Sequence, residues 1–381
     1  MSHIYLDHAA TTPMHESVQE QMTKVMQNHF GNPSSIHYFG RDSRKLLDEA
    51  RTTIAKSINA TFSSIIFTSG GTEANNLAIF GTAYAKKNQG KHIITTSIEH
   101  HAVLHPLEQL ESEGFEVTYL SVDESGRIDL EELKNSLRDD TILVTIMSVN
   151  NETGVIQPIK EIGELLEHQL AVFHTDAVQA YGIQAIDVKE LKVDLLTASS
   201  HKIYGPKGVG FLYKSEDHYL RQQLFGGEQE RKWRSGTENT LAIAGFEQAV
   251  KVLMDEREKR KAHYQMLNET LINQLNAQSI DFNINGDLTE RVPNIINISF
   301  LGTEVEMFLT NLDLAGIAVS SGSACTAGSI DPSHVLKAMY GDNDKRIYNS
   351  IRFSFGLNNT KEEMKTVAER IKPIVERLKN L

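Results

Sequence analysis

Between residues 57 and 213, short apolar segments rich in β-branched residues alternate with segments whose apolar positions recur at helical spacing. Such alternation is typical of an α/β domain in which a mostly parallel sheet is covered by helices on both faces. The predicted strands are residues 64–68, 92–95, 117–120, 142–147, 172–174, 195–198 and 209–213. The predicted helices between them are residues 75–87, 101–113, 130–137 and 159–168.

After residue 240 the pattern changes, because a long, charged, helix-favouring segment replaces the regular alternation. Fewer strands follow it, and a stretch rich in Ser and Gly separates them. This part of the chain is therefore predicted to form a smaller α+β domain. Its predicted elements are a long helix at 242–274, strands at 295–300 and 351–355, helices at 305–314 and 361–378, and a loop at 320–328.

The length of the chain also favours two domains. Its 381 residues exceed the roughly 250–300 at which single hydrophobic cores stop growing. We predict a large domain of residues 15–260 and a small domain built from residues 1–14 and 261–381. Hydrophobic residues make up 40% of the chain and charged residues 23%, which is an ordinary globular composition and argues against a disordered protein.

Charge and cysteine content limit the possible partners and compartment. With 38 Lys and Arg against 50 Asp and Glu, the net charge is −12, which disfavours direct binding to nucleic acid. No apolar run approaches the ~20 residues of a membrane span, and residues 1–7 lack the pattern of a secretory signal. The single cysteine, Cys325, excludes an intrachain disulfide and any metal site made of several cysteines. We therefore expect a cytoplasmic protein.

Polar residues follow several predicted strands, at the edge where ligands bind in open α/β sheets. Gly71 and Thr72 belong to a Ser-Gly-Gly-Thr turn before a helix, which could offer backbone N–H groups to a phosphate or be an ordinary capped turn. Asp176 could pair with a cationic ring nitrogen or cap a turn. His100 could stack on an aromatic ligand or shuttle protons, or be structural.

Two residues could supply covalent chemistry. Lys202 lies between an apolar strand and a Gly/Pro-rich turn. If it is desolvated, its lowered pKa would allow the neutral amine to react with a carbonyl; otherwise it is a solvated loop lysine. Cys325 lies among Ser, Gly and Ala residues that cannot build a core. This setting favours a reactive nucleophile, although free cysteines commonly pack as small hydrophobes.

Two arginines could bind anions. Arg352 is flanked by apolar, strand-like residues, so it could hold a substrate carboxylate through two donors or form a structural ion pair. Arg234 begins an Arg-Ser-Gly-Thr turn ending at Thr237, which offers further donors. Neither pattern identifies its ligand alone.

Taken together, these pieces identify a known family. The sequence resembles the pyridoxal-phosphate-dependent cysteine desulfurases that serve nitrogenase and iron–sulfur cluster assembly. The resemblance covers nearly the whole chain. It rests most strongly on Ser-His-Lys-Ile-Tyr-Gly-Pro-Lys-Gly at 200–208 and Ser-Ser-Gly-Ser-Ala-Cys at 320–325, with Tyr-Leu-Asp-His-Ala-Ala-Thr-Thr-Pro at 5–13 in support.

The resemblance implies a type I pyridoxal-phosphate fold, similar to aspartate aminotransferase, and a homodimer with active sites at the subunit interface. It also implies a role for each candidate residue. Lys202 would hold the cofactor and move the Cα proton, His100 would stack on its ring, and Cys325 would accept sulfur. Asp176 would contact the ring nitrogen and Gln179 the phenolic oxygen. The phosphate would be bound by Gly71, Thr72, Ser199, His201 and the other subunit's Thr237. The substrate carboxylate would be held by Asn150 and Arg352.

The implied reaction converts L-cysteine to L-alanine and leaves the sulfur as a persulfide on Cys325. An acceptor protein, either an iron–sulfur scaffold or a tRNA-thiolating enzyme, would then take the sulfur. The alternatives are an aminotransferase or selenocysteine lyase on the same fold, or a non-catalytic scaffold, because the fold does not determine the chemistry.

Overall fold

The computed structural model describes residues 3–321 and 332–379. The strands in this part of the chain are β1 (Ile4–Tyr5), β2 (Ile65–Thr68), β3 (His92–Thr96), β4 (Glu116–Leu120), β5 (Thr141–Thr145), β6 (Val172–Asp176), β7 (Leu195–Ser199), β8 (Gly210–Lys214), β9 (Phe282–Asn285), β10 (Ile295–Phe300), β11 (Ile317–Ala318) and β12 (Ser350–Ser354). The α-helices are α1 (Glu16–Asn28), α2 (Tyr38–Ser57), α3 (Gly71–Lys86), α4 (His101–Ser112), α5 (Leu130–Ser136), α6 (Ile159–Leu166), α7 (Thr240–Ala277), α8 (Val305–Leu314), α9 (His334–Tyr340) and α10 (Lys361–Lys379).

A seven-stranded sheet in the order β2-β8-β7-β6-β5-β3-β4 forms the centre of the part of the chain that was predicted to be the large domain. All neighbouring strands in it pair in parallel, except that β8 runs antiparallel to both β2 and β7. Every residue of β3, β5, β6 and β7 is buried, because helices cover both faces. All seven predicted strands are present, and the prediction of an α/β fold with a mostly parallel sheet is confirmed.

Three helices were not predicted from the sequence: α1, α2 and α9. In α1 only Val18 and Val25 are buried, so its apolar stripe is too thin to produce a clear period. In α2 the buried face includes Ser43 and Arg51, and these polar residues obscure the pattern. Within residues 3–321 and 332–379, no helix combines the length and the apolar character that crossing a membrane requires.

The smaller part contains an antiparallel sheet in the order β12-β10-β9 and a short parallel pair between β1 and β11. Helix α7 packs against α1, α2 and α10 and therefore connects the two parts. The predicted boundary between residues 260 and 261 falls inside α7, and one continuous cluster of buried side chains includes both Phe173 and Phe353. The division into two domains remains a prediction.

The strand order determines where polar loops meet. Strands β3, β5, β6 and β7 are parallel neighbours, so their carboxyl ends lie along one edge of the sheet. The residues that follow these ends include His100, Asn151, Asp176 and Lys202. Arg352 reaches the same edge from β12 of the smaller sheet.

Candidate active site

A cleft of about 510 Å³ lies at this edge of the sheet. Most of the predicted site residues line it together, although they are distant in sequence. Polar groups from both parts of the chain therefore converge on one space large enough for a small-molecule ligand. The predicted site residues that line the cleft are Gly71, Thr72, His100, Asp176, Gln179, Ser199, His201, Lys202 and Arg352.

Lys202 ends a single 3₁₀ turn (Ser200–Lys202) that follows β7, and this turn directs its side chain into the cleft. Its Nζ donates hydrogen bonds to the carbonyl oxygens of Ala9 and, at 2.8 Å, Ala10. Burial, assisted by the positive charge of Arg352, lowers the pKa of Lys202 to about 8. A far larger fraction of this amine is therefore neutral and nucleophilic near neutral pH than in an ordinary lysine.

Asp176 is the last residue of β6, and its carboxylate is held at both oxygens. Oδ2 accepts a hydrogen bond from Nδ2 of Asn75 at 2.6 Å, and Oδ1 accepts one from the backbone N–H of Val178 at 2.9 Å. The side chain lines the cleft although only 7% of it is exposed. A carboxylate held in this way can pair with a cationic nitrogen of a bound ring.

His100 caps the N-terminus of α4, since its Nδ1 accepts a hydrogen bond from the backbone N–H of Ala102 at 3.0 Å. Burial lowers the pKa of His100 below its usual value. The ring is therefore neutral at physiological pH, with its proton on Nε2 because Nδ1 is an acceptor. Such a ring can stack on a planar ligand and donate from Nε2.

The turn before α3 has the features of a phosphate site. Gly70 caps the helix with no side-chain hydrogen bond, so the first backbone N–H groups of α3 are left for a ligand. A Cβ atom on Gly71 would lie 2.9 Å from Cγ2 of Val178, so this close approach requires glycine. The Oγ atom of Ser199 is buried and has no hydrogen-bond partner within the described ranges.

His201 and Gln179 complete this side of the cleft. Burial and the neighbouring Lys202 and Lys207 lower the pKa of His201 to about 4, and its Nδ1 lies 3.2 Å from Oγ1 of Thr11. Gln179 donates from Nε2 to the carbonyl oxygen of Ala9 at 3.0 Å. Both side chains are therefore positioned by the N-terminal segment as well as by the sheet.

The Arg352 guanidinium is almost completely buried and is held on two sides. Nη1 donates to the carbonyl oxygen of Asn151 at 3.0 Å, and Nη2 donates to Oδ1 of Asp7 at 2.8 Å. Nε is also buried, and it has no hydrogen-bond partner in the part of the chain that the structure describes. A ligand carboxylate in the cleft would use the second N–H groups of Nη1 and Nη2 rather than the buried Nε.

Three predicted site residues are not placed at the cleft by the structure. Asn150 does not line it, since its carboxamide donates to the carbonyl oxygen of Ile98 and accepts from the backbone N–H of Glu152; its contact with a substrate carboxylate stays a prediction. Thr237 is exposed and is not among the cleft residues of its own chain. Cys325 lies outside the described residues.

Sequence reasoning missed two buried acids near the site. Glu99 follows β3, and burial raises the pKa of its carboxyl to about 8. Glu152 lines the cleft, accepts a hydrogen bond from the Ser333 hydroxyl, and has its pKa raised to about 7 by burial. The available signal was an acid close in sequence to a predicted site residue: Glu99 is next to His100, and Glu152 lies two positions after Asn150.

The donor set matches one kind of ligand. The start of α3 fits a phosphate, as does the Ser199 hydroxyl, which is unpartnered among the residues that the structure describes; Asp176 fits a ring nitrogen, and the Lys202 amine fits an aldehyde carbon. These residues therefore fit pyridoxal phosphate. The free capacity of Arg352 leaves a separate place for the carboxylate of an amino acid.

Comparisons with known proteins agree with this site. The aminotransferase class-V family model matches residues 4–367. The chain is 57% identical over 378 residues to the putative cysteine desulfurase IscS 1 of Bacillus subtilis, covering 99% of this chain and 100% of that protein. It is 46% identical to the cysteine desulfurase IscS of Dictyoglomus turgidum, with coverage of 99% and 96%.

Solved structures agree as well. A NifS-like protein superposes with a TM-score of 0.92 at 33% identity, covering 98% of this chain and 100% of that one. A NifS-like protein from Rickettsia africae gives a TM-score of 0.88 at 35% identity, with coverage of 98% and 99%. The chain therefore belongs to the class-V aminotransferase family and, within that family, to the cysteine desulfurases.

Proposed function

We propose that this protein is a pyridoxal-phosphate-dependent cysteine desulfurase that converts L-cysteine to L-alanine and takes the sulfur on Cys325. The observation that carries the proposal is the buried Lys202 amine, whose pKa is lowered to about 8, in the same cleft as Asp176 and Arg352. The match to the class-V aminotransferase family model and the full-length relatives named cysteine desulfurase support L-cysteine as the substrate.

The cofactor would be held from several sides by this chain. Its phosphate would lie at the start of α3 against Gly71, Thr72, Ser199 and His201. Asp176 would pair with the ring nitrogen, Gln179 would contact the phenolic oxygen, and His100 would stack on the ring. When bound, pyridoxal phosphate supplies an electron sink for the bonding electrons of Cα.

The chain's own residues would orient the substrate and move its protons. The guanidinium of Arg352 would hold the substrate carboxylate through its remaining donors. The neutral amine of Lys202 would take the proton from Cα, because its lowered pKa suits a base working near neutral pH. Asn150 would help Arg352 to hold this carboxylate, and it also shapes the loop that presents Asn151 to Arg352.

The sulfur transfer balances without an added oxidant. The Cβ–S bond of cysteine breaks, an S–S bond to Cys325 forms, and the carbon skeleton leaves as alanine. The thiolate of Cys325 is the nucleophile, since thiolates react and thiols do not. The products are therefore one alanine and one persulfide per turnover.

We further propose a cytoplasmic homodimer in which the partner's Thr237 completes the phosphate site. The exposed position of Thr237 away from its own cleft is compatible with that role. The persulfide would pass to an acceptor protein, either an iron–sulfur scaffold or a tRNA-thiolating enzyme. We expect no direct contact with nucleic acid or membrane.

Intact mass before and after brief exposure of the purified holoenzyme to L-cysteine, without reductant, tests the proposal. We expect a gain of one sulfur atom, mapped to Cys325 and removed by a thiol, with an equal amount of alanine. The Cys325→Ala variant is expected to keep the cofactor's absorption and to gain no sulfur. Lys202→Ala is expected to lose both the covalently held cofactor and the reaction.

The same experiment separates the alternative reactions. Pyruvate formed from alanine, together with an aminated cofactor and no need for Cys325, would identify an aminotransferase. Fast release of selenium from selenocysteine without sulfur transfer from cysteine would identify a selenocysteine lyase. A purified chain that takes up no pyridoxal phosphate would support a non-catalytic scaffold.

A further inference from the structure

Arg352 is already paired with a carboxylate of its own chain. Nη2 of Arg352 lies 2.8 Å from Oδ1 of Asp7, and the two side chains are 5% and 21% exposed. Both residues line the cleft. Any second carboxylate that reaches Arg352 there must therefore lie close to the negative charge of Asp7.

The position of Asp7 is set by the backbone around it. Asp7 forms an isolated parallel β-bridge with Ser354, two residues beyond Arg352 on β12. The hydroxyl of Tyr5 donates to the Asp7 carbonyl oxygen at 3.0 Å. These contacts fix the backbone of Asp7, and the ion pair with Arg352 holds its carboxylate, so we expect its charge to stay in the cleft when a ligand enters.

Arg352 keeps unused N–H donors for a ligand, but its positive charge is already partly neutralised by Asp7. Nη1 is used by the carbonyl oxygen of Asn151, and Nε is buried with no partner among residues 3–321 and 332–379. Each Nη atom carries two N–H groups and makes one of these bonds, so an entering carboxylate could use a second N–H of Nη1 or Nη2, yet it would meet a cation already countered by Asp7. Its binding is therefore weaker than binding to an unpaired arginine.

We propose that Asp7 is a positioning residue that fixes the guanidinium of Arg352 and lowers the affinity of the cleft for amino-acid carboxylates. This inference rests on the proposed function, since it concerns the carboxylate common to L-cysteine and L-alanine. Carboxylate binding that is equal in the ground state and the transition state lowers KM but does not raise kcat. Weak binding at this point keeps the product alanine from occupying the cleft.

Binding of propanoate to the holoenzyme tests the proposal, because propanoate has the carboxylate of the substrate but neither its amino group nor its sulfur. In Asp7→Asn the shape and one acceptor oxygen are kept and the charge is removed. We expect the variant to bind propanoate about tenfold more tightly, a size common for coupled sites. KM for L-cysteine should fall with it, while kcat does not rise.

Asp140→Asn is the matched control. Asp140 also pairs with an arginine, Arg138, at 2.8 Å, but it precedes β5 at the opposite edge of the sheet. We expect this variant to bind propanoate as the wild type does. Asp7→Glu, which keeps the charge, should retain weak binding, and Asp7→Ser replaces Asp7→Asn if the latter does not fold.

Unchanged or weaker propanoate binding in Asp7→Asn would overturn the inference, as would equal tightening in Asp7→Asn and Asp7→Glu. A purely structural role for Asp7 predicts the first of these results. Calorimetry measures propanoate binding without turnover. A failure of the proposed function, seen as absence of alanine and persulfide from the wild type, is therefore distinguishable from a failure of this inference.

Discussion

Asn75 donates a hydrogen bond from Nδ2 to Oδ2 of Asp176 at 2.6 Å, and both side chains are buried. Asn75 lies one turn into α3, the helix whose start forms the candidate phosphate site, whereas Asp176 ends β6. The bond therefore ties the two halves of the candidate cofactor site together. It also holds the Asp176 carboxylate in one position, where it would face a ring nitrogen.

Asn75→Ala is expected to lower kcat by about tenfold or more while the cofactor stays bound. A hydrogen bond to a charged group contributes about 1.5–3 kcal/mol, and about 1.4 kcal/mol corresponds to a tenfold change in rate. Steady-state kinetics and the absorption of the bound cofactor measure the two effects. Asn28→Ala, which removes an exposed carboxamide at the end of α1, is the control and should leave both unchanged. An Asn75→Ala variant with normal kcat would show that Asp176 needs no such support.

The rate at which the apo-protein takes up pyridoxal phosphate covalently should rise with pH around a midpoint near pH 8. Only the neutral amine of Lys202 can attack the aldehyde, and burial together with Arg352 lowers its pKa to about 8 from the ordinary 10.5. Stopped-flow absorbance between pH 6.5 and 10 measures this rate. Arg352→Gln should move the midpoint upward, because it removes a positive charge near the amine. A rate still rising steeply at pH 10 would mean that Lys202 titrates normally.

Glu152 makes a contribution to stability that depends on pH. Its pKa is raised from 4.5 to about 7 by burial, so between these values the native state holds a proton that the unfolded state has lost. The free energy of unfolding therefore decreases as pH rises through this window and levels off above it. Because Glu152→Gln cannot titrate at this position, its free energy of unfolding should increase relative to that of the wild type as pH rises from 5 to 8.

Urea midpoints at the two pH values measure the effect of Glu152→Gln. Glu258→Gln, which changes an exposed acid on α7, is the control and should show the same pH dependence as the wild type. A Glu152→Gln variant that follows the wild type in parallel at both pH values would refute the raised pKa. Ser333→Ala should be destabilised by about 1–3 kcal/mol, since it leaves the buried carboxyl without its hydrogen bond.

If the protein forms the proposed homodimer, mixed dimers test whether Thr237 acts across its subunit interface. Chains carrying Lys202→Ala are inactive, and chains carrying Thr237→Ala are expected to bind the cofactor weakly. If Thr237 serves the opposite subunit, a mixed dimer has one site with both defects and one site with neither, so activity should appear on mixing. If Thr237 serves its own chain, both sites stay defective and no activity appears. Cofactor retention and alanine production after co-refolding distinguish the two results.

Much of the large sheet was predictable because its strands other than β4 are buried on both faces and appear in the sequence as largely apolar runs. The positions of Asp176 and Lys202 followed from the same signal, since each comes at or just after such a run. The family followed from motifs that are local in sequence. Helices α1 and α2 were not predictable in this way, because few residues or partly polar residues form their buried faces.

The sequence by itself determined the seven strands of the large sheet, their ends to within about two residues, and the family that the chain resembles, but not strands β1, β9 and β11. The tertiary structure alone decided which side chains meet. Asn75 and Asp176 are 101 positions apart, and Asp7 and Arg352 are 345 apart, so no local pattern links them. Likewise, sequence could not tell that Asn150 turns into its loop while Asn151 lines the cleft. Periodicity reports the burial of one segment at a time, whereas contacts between distant residues depend on how whole elements pack against one another.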